Sequence, residues 1–208
     1  MIIRAQHHPV IYPFFRFYTR WKIWRNFKSV YFSGDFAEKG IPLLLIANHV
    51  SWWDGFWVYY LNLKLFKKKF YFMMLEGQLK KYSIFIKTGG YSVRKGSKSI
   101  IESIRYTAEI LENPSNAVLM FPQGKIQSVY ESSFVFEKGI EKVLEIVDNP
   151  IQIIFIVNLT DYFSYPKPGL YIYYKEYKDS KSGVDALQKE YNSYYQSCIS
   201  EQQKKNAV

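Results

Sequence analysis

The stretch PLLLIANHVSWWDGFW, residues 42–57, joins two structural patterns at one polar turn. Its first half is continuously apolar, which is typical of a strand that is covered on both faces within a parallel sheet. Ser51 and Asp54 then have the spacing of a helix start, where a carboxylate accepts hydrogen bonds from unpaired backbone N–H groups. The stretch therefore predicts a buried strand at 42–48 and a helix at 51–63.

Apolar strand patterns and helical patterns continue to alternate along the rest of the chain. One strand is expected to end at Arg94, and the stretch 170–177 alternates like a half-exposed strand. Further buried strands are expected at 116–122 and 151–158, and further helices at 97–113, 138–149 and 184–203. This order predicts an α/β fold with a mostly parallel central sheet flanked by helices. In such folds, functional sites gather at the loops beyond the carboxyl ends of the strands.

The composition restricts the possible partners and compartment. The 208-residue chain has 28 Lys and Arg against 18 Asp and Glu, a formal charge of +10, and 19% aromatic residues. This charge favours an anionic partner, such as nucleic acid, membrane headgroups or a phosphorylated ligand. The single cysteine, Cys198, excludes an internal disulfide framework and fits a reducing cytosol. We find neither a signal-peptide pattern nor a run of roughly 18–20 uncharged apolar residues, the length that a membrane-spanning helix needs.

Residues 1–33 predict a separate, amphipathic segment. No acidic residue precedes Asp35, and basic and aromatic residues alternate over 8–32. On a helix, one aromatic stripe would contain Phe14, Phe17, Tyr18, Trp21 and Trp24. This pattern favours a helix that lies in a membrane interface, with its rings at the acyl boundary and its cations on anionic headgroups. The alternative is a helix that docks on the protein's own core.

His49 and Asp54 are the candidate catalytic pair. A strand-to-helix turn can bring the Asp54 carboxylate to one imidazole nitrogen and leave the other nitrogen to accept a proton from a hydroxyl. Alternatively, Asp54 only caps the helix and His49 is an ordinary loop residue. The remaining histidines, His7 and His8, and the lone Cys198 lie far away in sequence. No metal-ligand spacing results, so we expect no metal site.

Two further stretches, TGGYSVRKGS at 88–97 and LMFPQGKIQS at 119–128, follow or end predicted strands. Each combines glycine, which lets a backbone approach a ligand closely, with a cation that can bind an anion. Taken alone, each is also consistent with a turn followed by solvated basic residues. The candidate binding residues in the two stretches are Arg94, Lys95, Gln123, Gly124 and Lys125.

In this order, the blocks resemble those of the glycerolipid acyltransferases, the superfamily of 1-acylglycerol-3-phosphate acyltransferases. The family's patterns are N-H-x-x-x-x-D, glycine-aromatic-x-x-arginine and F-P-E-G, followed by a basic residue and glycine at a helix start and by a proline-led apolar strand. The residues that match them, or are similar to them, are Asn48, His49 and Asp54; Gly90, Tyr91 and Arg94; Phe121, Pro122, Gln123 and Gly124; Lys138 and Gly139; and 150–157. The match spans roughly residues 30–160.

The resemblance implies that His49 is the general base on an acceptor hydroxyl and that Asp54 orients it. It also implies that the donor is acyl-CoA or acyl carrier protein, and that no cofactor or metal takes part. The second and third blocks, represented by Arg94, Gln123 and Gly124, would bind the acceptor. Two departures from the family pattern concern this acceptor: Gln123 replaces a glutamate, and Lys125 and Ile126 stand where the pattern continues with threonine and arginine.

We therefore predict an O-acyltransferase that acts on a lysolipid or another lipid-like hydroxyl. Residues 1–33 would associate with anionic lipid at the cytoplasmic face of a membrane as a peripheral segment. Residues 34–208 would form the acyltransferase domain, with the motif blocks within about 43–158. The altered third block motivates one alternative, a non-catalytic lipid-binding member of the same fold. A basic nucleic-acid-binding module is the other alternative, but no nucleic-acid motif is present, so we expect no nucleic-acid partner. The sequence gives no indication of the oligomeric state.

Overall fold

The computed structural model describes residues 2–94, 96, 98–178 and 183–205. The strands are β1 (Ser29–Asp35), β2 (Leu43–Ala47), β3 (Lys69–Leu75), β4 (Gly90–Val93), β5 (Asn116–Met120), β6 (Gln152–Asp161) and β7 (Gly169–Tyr177). The helices are α1 (Ile11–Asn26), α2 (Asp54–Leu61), α3 (Glu76–Lys81), α4 (Ile100–Leu111), α5 (Lys138–Ile146) and α6 (Gly183–Gln203). A π-helical turn, Asn62–Phe66, extends α2, and a 3₁₀ turn, Ser83–Lys87, precedes β4.

The strands form one sheet in the order β1–β7–β6–β2–β5–β3–β4. Every neighbouring pair is parallel except β6 and β7, which are antiparallel. The predicted α/β fold with a mostly parallel sheet and flanking helices is confirmed. The first residue of the predicted helix at 97–113 lies outside the described residues, and α4 begins at Ile100.

Both faces of the sheet are covered, which explains the continuously apolar strands. The five residues of β2 and the five of β5 are all buried. On one face, Leu43 and Leu45 pack into a cluster with residues of α1 and α2. On the other face, Leu44 and Ile46 pack into a cluster with residues of α4, α5 and α6. The loop after β2 therefore starts from the rigid centre of the molecule.

The prediction that 170–177 is half-exposed is wrong, because the first six residues of β7 are all buried. Leu170 and Ile172 join the cluster under α1 and α2, whereas Tyr171 and Tyr173 join the cluster under α6. The alternation of aliphatic and tyrosine residues resembles that of a strand with one buried and one exposed face. In β7 the two residue types instead point to opposite faces of the sheet, and both faces are covered. The tyrosines can be buried because their hydroxyls reach partners, as when Tyr173 donates to Gln202 Oε1 at 2.9 Å.

Two strands, β1 and β3, were not predicted. β1 is an edge strand that pairs only with β7, and most of its residues are exposed, so it carries little apolar signal. The predicted division between residues 33 and 34 falls inside it. β3 begins within the run KKKFYFMML, residues 67–75, where lysines conceal the strand pattern.

Helix α1 uses one face to dock on the protein and another to face outward. Its buried residues are Tyr12, Phe15, Thr19 and Ile23. The ring of Phe15 packs against Phe56 and Tyr59 of α2, at centroid distances of 5.3 and 5.5 Å. The predicted aromatic stripe lies mostly on the outer face, where the exposed fractions are 60% for Phe14, 66% for Phe17, 37% for Trp21 and 76% for Trp24. Docking and aromatic exposure are thus properties of two different faces. None of the helices in the described part of the chain is both long and apolar enough to cross a membrane.

Candidate active site

The motif blocks meet at one edge of the sheet, formed by the carboxyl ends of the parallel strands β2, β3, β4 and β5 and called here the site edge. His49 follows β2, Phe121 follows the adjacent β5, and Arg94 follows β4. Because neighbouring strands lie about 4.8 Å apart, β4, three places from β2, is roughly 14 Å from it. His49 and the third block are therefore close neighbours, whereas Arg94 lies at the far end of the same edge.

Asp54 binds His49 and the main chain of the loop before α2 with the same oxygen. Its Oδ2 lies 3.0 Å from His49 Nδ1 and accepts the backbone N–H groups of Val50 at 2.6 Å and Ser51 at 2.8 Å. The Ser51 hydroxyl oxygen in turn accepts the N–H of Trp53 at 3.1 Å. Of the two roles that the sequence left open, the carboxylate has the histidine contact, whereas no side-chain hydrogen bond caps α2, which begins at Asp54 itself. The N–H groups of the loop before α2 fix the carboxylate, and the carboxylate fixes the ring.

The environment of the pair differs sharply between its two members. The Asp54 side chain is fully buried, whereas that of His49 is 22% exposed. Burial raises the pKa of Asp54, and the hydrogen bonds from His49 and the two backbone N–H groups act in the opposite direction. The phenyl ring of Phe121 stacks on the imidazole, with centroids 4.1 Å apart and planes inclined by 12°. Within the described part of the chain, Nε2 of His49 has no hydrogen-bond partner.

Asn48 fixes the start of the turn after β2 to the sheet. Its Nδ2 donates to the carbonyl oxygen of Asn158 at 3.0 Å, and its Oδ1 accepts the Asn158 N–H at 2.8 Å. This pair of bonds continues the pairing of β2 with β6 beyond the last residue of β2. Asn48 is fully buried, so an unpaired amide here would be costly. The sequence motif contained this residue without indicating its role.

The third block contacts the turn that carries His49 through the side chain of Gln123. Gln123 is only 3% exposed, and its Oε1 accepts the backbone N–H of His49 at 2.6 Å. Gly124 has a φ of 64° and donates its N–H to Phe121 O at 3.0 Å, which closes a tight turn. Lys125 is exposed. The Gln123 side chain therefore faces the histidine main chain, and Lys125 is the member of this block that reaches solvent.

Gln127, which no motif contained, completes this arrangement. Its side-chain Oε1 accepts Gln123 Nε2 at 3.1 Å, and its backbone N–H donates to the carbonyl oxygen of His49 at 2.9 Å. Two hydrogen bonds thus connect the turn after β2 with the loop after β5, and a third, between the side chains of Gln123 and Gln127, lies within that loop. Hydrogen bonds between side chains and main chain have no characteristic spacing, so this contact left no signal in the sequence.

Arg94 forms an ion pair on the site edge. Its Nε donates to Glu76 Oε2 at 2.9 Å and its Nη2 to Glu76 Oε1 at 2.8 Å, while Lys80 Nζ lies 2.6 Å from Oε1. The hydrogen bonds of Arg94 and Lys80 lower the pKa of Glu76 to about 2. The Arg94 side chain remains 57% exposed. Glu76 is a further site-edge residue that the sequence did not reveal, and Lys95 lies outside the described residues.

The loop after β5 is held by the C-terminal helix. Three amide side chains spaced four residues apart on α6 bind its main chain. Gln188 Oε1 accepts the N–H of Phe136 at 2.6 Å, and Gln196 donates to the carbonyl of Ser132. Asn192 binds both main-chain groups of Phe134, accepting its N–H at 2.8 Å and donating to its carbonyl at 2.9 Å. Helix α6 therefore supports the loop that carries Gln123.

Replacing Asn192 tests this support. We expect Asn192→Ala to lower the free energy of unfolding by about 1–3 kcal/mol, because it leaves the N–H and C=O of a buried residue without partners. Urea unfolding followed by circular dichroism measures the change. Ser193→Ala, at an exposed position on the same helix, is the control and should stay within about 0.5 kcal/mol of the wild type. Equal stabilities for the two variants would contradict the supporting role of α6.

Among the residues that the structure describes, no group of three or more His, Cys, Asp and Glu side chains is arranged to hold a metal ion. The site edge carries an oriented imidazole with one nitrogen bound to a carboxylate, and exposed cations.

A family model described as Acyltransferase matches residues 29–157, more than half of the chain. The match includes β1 to β5, most of β6, and the two loops that meet at His49. A search of curated proteins found no match. The chain therefore belongs to the acyltransferase family, within the glycerolipid and lysophospholipid acyltransferase superfamily, and is an enzyme that transfers acyl groups to lipid-like acceptors.

Proposed function

We propose that this acyltransferase moves an acyl chain from acyl-CoA or acyl carrier protein to a hydroxyl of a lysolipid or another lipid-like acceptor, with His49 as general base. The observation that carries the proposal is the 3.0 Å contact between His49 Nδ1 and Asp54 Oδ2. With its proton on Nδ1, the imidazole donates a hydrogen bond to the carboxylate. Its lone pair is then on Nε2, and the ring is partly exposed. That nitrogen is then available to a substrate hydroxyl.

One base is sufficient to account for every proton in the proposed reaction. Nε2 of His49 takes the hydroxyl proton as the oxygen attacks the thioester carbonyl, and the buried Asp54 carboxylate stabilises the imidazolium that forms. The tetrahedral intermediate collapses with cleavage of the carbon–sulfur bond. The leaving thiolate receives the proton from His49, so the products are an ester and a free thiol. No metal, cofactor or covalent acyl-enzyme enters this scheme.

The acceptor headgroup would bind along the site edge. Arg94 and Lys125 are exposed cations there, which supports contact with an anionic group such as a phosphate. The bonds to Glu76 use two of the five N–H donors of the Arg94 guanidinium and fix its direction. The turn at Gly124 would allow the headgroup to approach the backbone. Gln123 would act through His49, which its side chain contacts.

We further propose that α1, within residues 1–33, rests as a peripheral segment on anionic lipid at the cytoplasmic face, beside the domain formed by 34–208. A series of ring contacts connects its outer face with the site: Trp21 to Tyr18 at 6.1 Å, Tyr18 to Phe56 at 6.2 Å, and Phe56 to Trp52 at 5.5 Å. Trp52 follows His49 by three residues and is 42% exposed. Exposed basic residues lie along the same helix: Arg16, Arg20 and Arg25. Such a surface would bring membrane lipid to the site.

The outer face of α1 gives a testable prediction. The double variant Phe17→Ser/Trp24→Ser should bind anionic vesicles at least about tenfold more weakly, because each ring contributes about 1.5–3 kcal/mol when it leaves water. Its free energy of unfolding should change by less than about 0.5 kcal/mol, since both rings are already exposed. Co-sedimentation with vesicles of phosphatidylglycerol and phosphatidylcholine measures the binding.

The control is Tyr130→Ser/Tyr162→Ser, which removes two exposed rings outside α1. It should bind vesicles as the wild type does. An equal loss of binding in both double variants would contradict a specific role for α1. A large loss of stability in the α1 variant would instead indicate that its rings belong to the core.

The proposed reaction is tested by measuring free thiol release from acyl-CoA, with and without acceptors, in the presence of vesicles. The acceptor panel should include lysophosphatidate, neutral monoacylglycerol and lysophosphatidylcholine, and a second series should use acyl carrier protein as donor. We expect thiol release that requires an acceptor, and the best acceptor then identifies the class of headgroup. Release that is independent of every acceptor would indicate hydrolysis. No release with either donor series would support lipid binding without turnover.

A further inference from the structure

We propose that Gln123 and Gln127 form a pair of positioning residues that hold the main chain of His49 in register for proton transfer. The inference rests on the proposed role of His49 as base. The two residues bind His49 from opposite sides: its N–H donates to Gln123 Oε1 at 2.6 Å, and its C=O accepts the Gln127 N–H at 2.9 Å. Gln123 Nε2 joins the two through its bond to Gln127 Oε1 at 3.1 Å.

This ring of hydrogen bonds fixes the main chain of His49, whereas Asp54 and Phe121 orient its imidazole. Asp54 contacts the edge of the imidazole at 3.0 Å, and Phe121 stacks on its face at 4.1 Å. The imidazole is attached to a backbone that has left β2 at Ala47 and has not yet entered α2. Without the Gln123 side chain the His49 N–H would lose its acceptor, and without the Gln127 side chain the Gln123 amide would lose the partner that orients it. The bond from the Gln127 N–H to the His49 carbonyl is a main-chain bond and remains in every side-chain variant. A displacement of about 1 Å at a reacting group can cost about a hundredfold in rate.

The chemistry of the pair explains why position 123 can hold an amide. One atom at the end of its side chain must accept the His49 N–H, and the other must form a hydrogen bond with the side chain at position 127. In Gln123→Glu, the carboxylate still accepts the His49 N–H, and rotation of the Gln127 amide by half a turn supplies a donor to it. In Gln127→Glu, Gln123 still donates to the new carboxylate. Only the double variant places two carboxylates about 3 Å apart, where like charges repel strongly.

The expected outcome is therefore strongly non-additive. Each single variant should lower kcat about threefold, whereas Gln123→Glu/Gln127→Glu should lower it about a hundredfold or more. Gln123→Glu/Gln127→Lys, which restores a donor opposite the carboxylate, should recover kcat to within about fivefold of the wild type. The KM for the acyl donor should change less than about twofold throughout, because neither side chain is placed on the substrate.

Thermal unfolding and vesicle binding of each variant show whether the fold is retained. If the carboxylate pair prevents folding, Gln127→Leu gives a second test. It removes the bridge without adding charge and should lower kcat about tenfold at unchanged KM. A double variant whose loss is only the product of the single losses would overturn the inference, as would a Gln127→Leu enzyme with wild-type kcat. Failure of the proposed function would be recognised separately, because the wild type itself would then release no thiol.

Discussion

His49→Ala should lower kcat by a factor on the order of 10²–10⁴, the usual contribution of a positioned general base. The physical reason is that the imidazole is the group at the site edge whose second nitrogen is held ready to accept a proton, by the contact of its first nitrogen with Asp54. Thiol release under saturating donor and acceptor measures the change. Vesicle binding should be unaffected, because the exposed rings of α1 remain in place.

His49→Gln is the matched variant for this prediction. Its amide can still donate a hydrogen bond towards Asp54 but cannot act as a base near neutral pH. It should therefore be as inactive as His49→Ala while unfolding at a temperature close to that of the wild type. Recovery of turnover in His49→Gln would show that His49 has a packing role and would contradict its assignment as the base.

Replacements of Asp54 should separate its charge from its role in holding the loop before α2. Asp54→Asn should lower kcat on the order of 10²–10⁴-fold, because the neutral amide no longer stabilises the imidazolium formed during proton transfer. Its stability should change little, since the amide oxygen of asparagine can accept the same backbone N–H groups. Asp54→Ala should lose a similar amount of activity and also about 1–3 kcal/mol of unfolding free energy. In that variant the N–H groups of Val50 and Ser51 lose the oxygen that accepts them.

Parallel measurements of kcat and urea unfolding on the two Asp54 variants distinguish the roles. The loop-holding role alone predicts an active Asp54→Asn enzyme and an unstable Asp54→Ala enzyme. An Asp54→Asn variant with more than about a tenth of wild-type kcat would therefore contradict the electrostatic role. Both variants should keep acceptor KM nearly constant, because the buried carboxylate is shielded from solvent by its own loop.

The central part of the fold could be predicted because each local signal agreed with its tertiary environment. The apolar run of β2 is buried on both sides, and a helix does follow it, although it begins at Asp54 rather than at Ser51. The stripe on α1 was recognised from its periodicity, but periodicity could not show which face of an aromatic helix docks. The exposure of Leu170 to Tyr174 was predicted wrongly for a related reason. Tyrosine is compatible with both buried and exposed positions, so the alternation of residue types did not show that both faces of β7 are covered.

The candidate site was predictable to the extent that parallel strands bring their carboxyl ends together. That rule placed His49, Phe121 and Arg94 on one edge, but it could not give their separation without the strand order. The sequence also could not predict the direction in which a loop side chain points. Gln123 and Lys125 lie two positions apart, yet one faces the His49 backbone and the other faces solvent. Glu76 was missed because β3, the strand before it, was missed.

Acyl transfer to a hydroxyl is tested most directly by quantifying free thiol and newly formed acyl ester in the same reaction. Thiol is measured by a colorimetric reagent, and ester by mass spectrometry of the extracted lipids. With acyl-CoA or acyl carrier protein as donor and the best lipid acceptor, we predict one ester for each thiol from the wild type. Neither product should rise above background with His49→Ala. Thiol formed without ester, or ester formed by His49→Ala at the wild-type rate, would contradict acyl transfer by the His49 base.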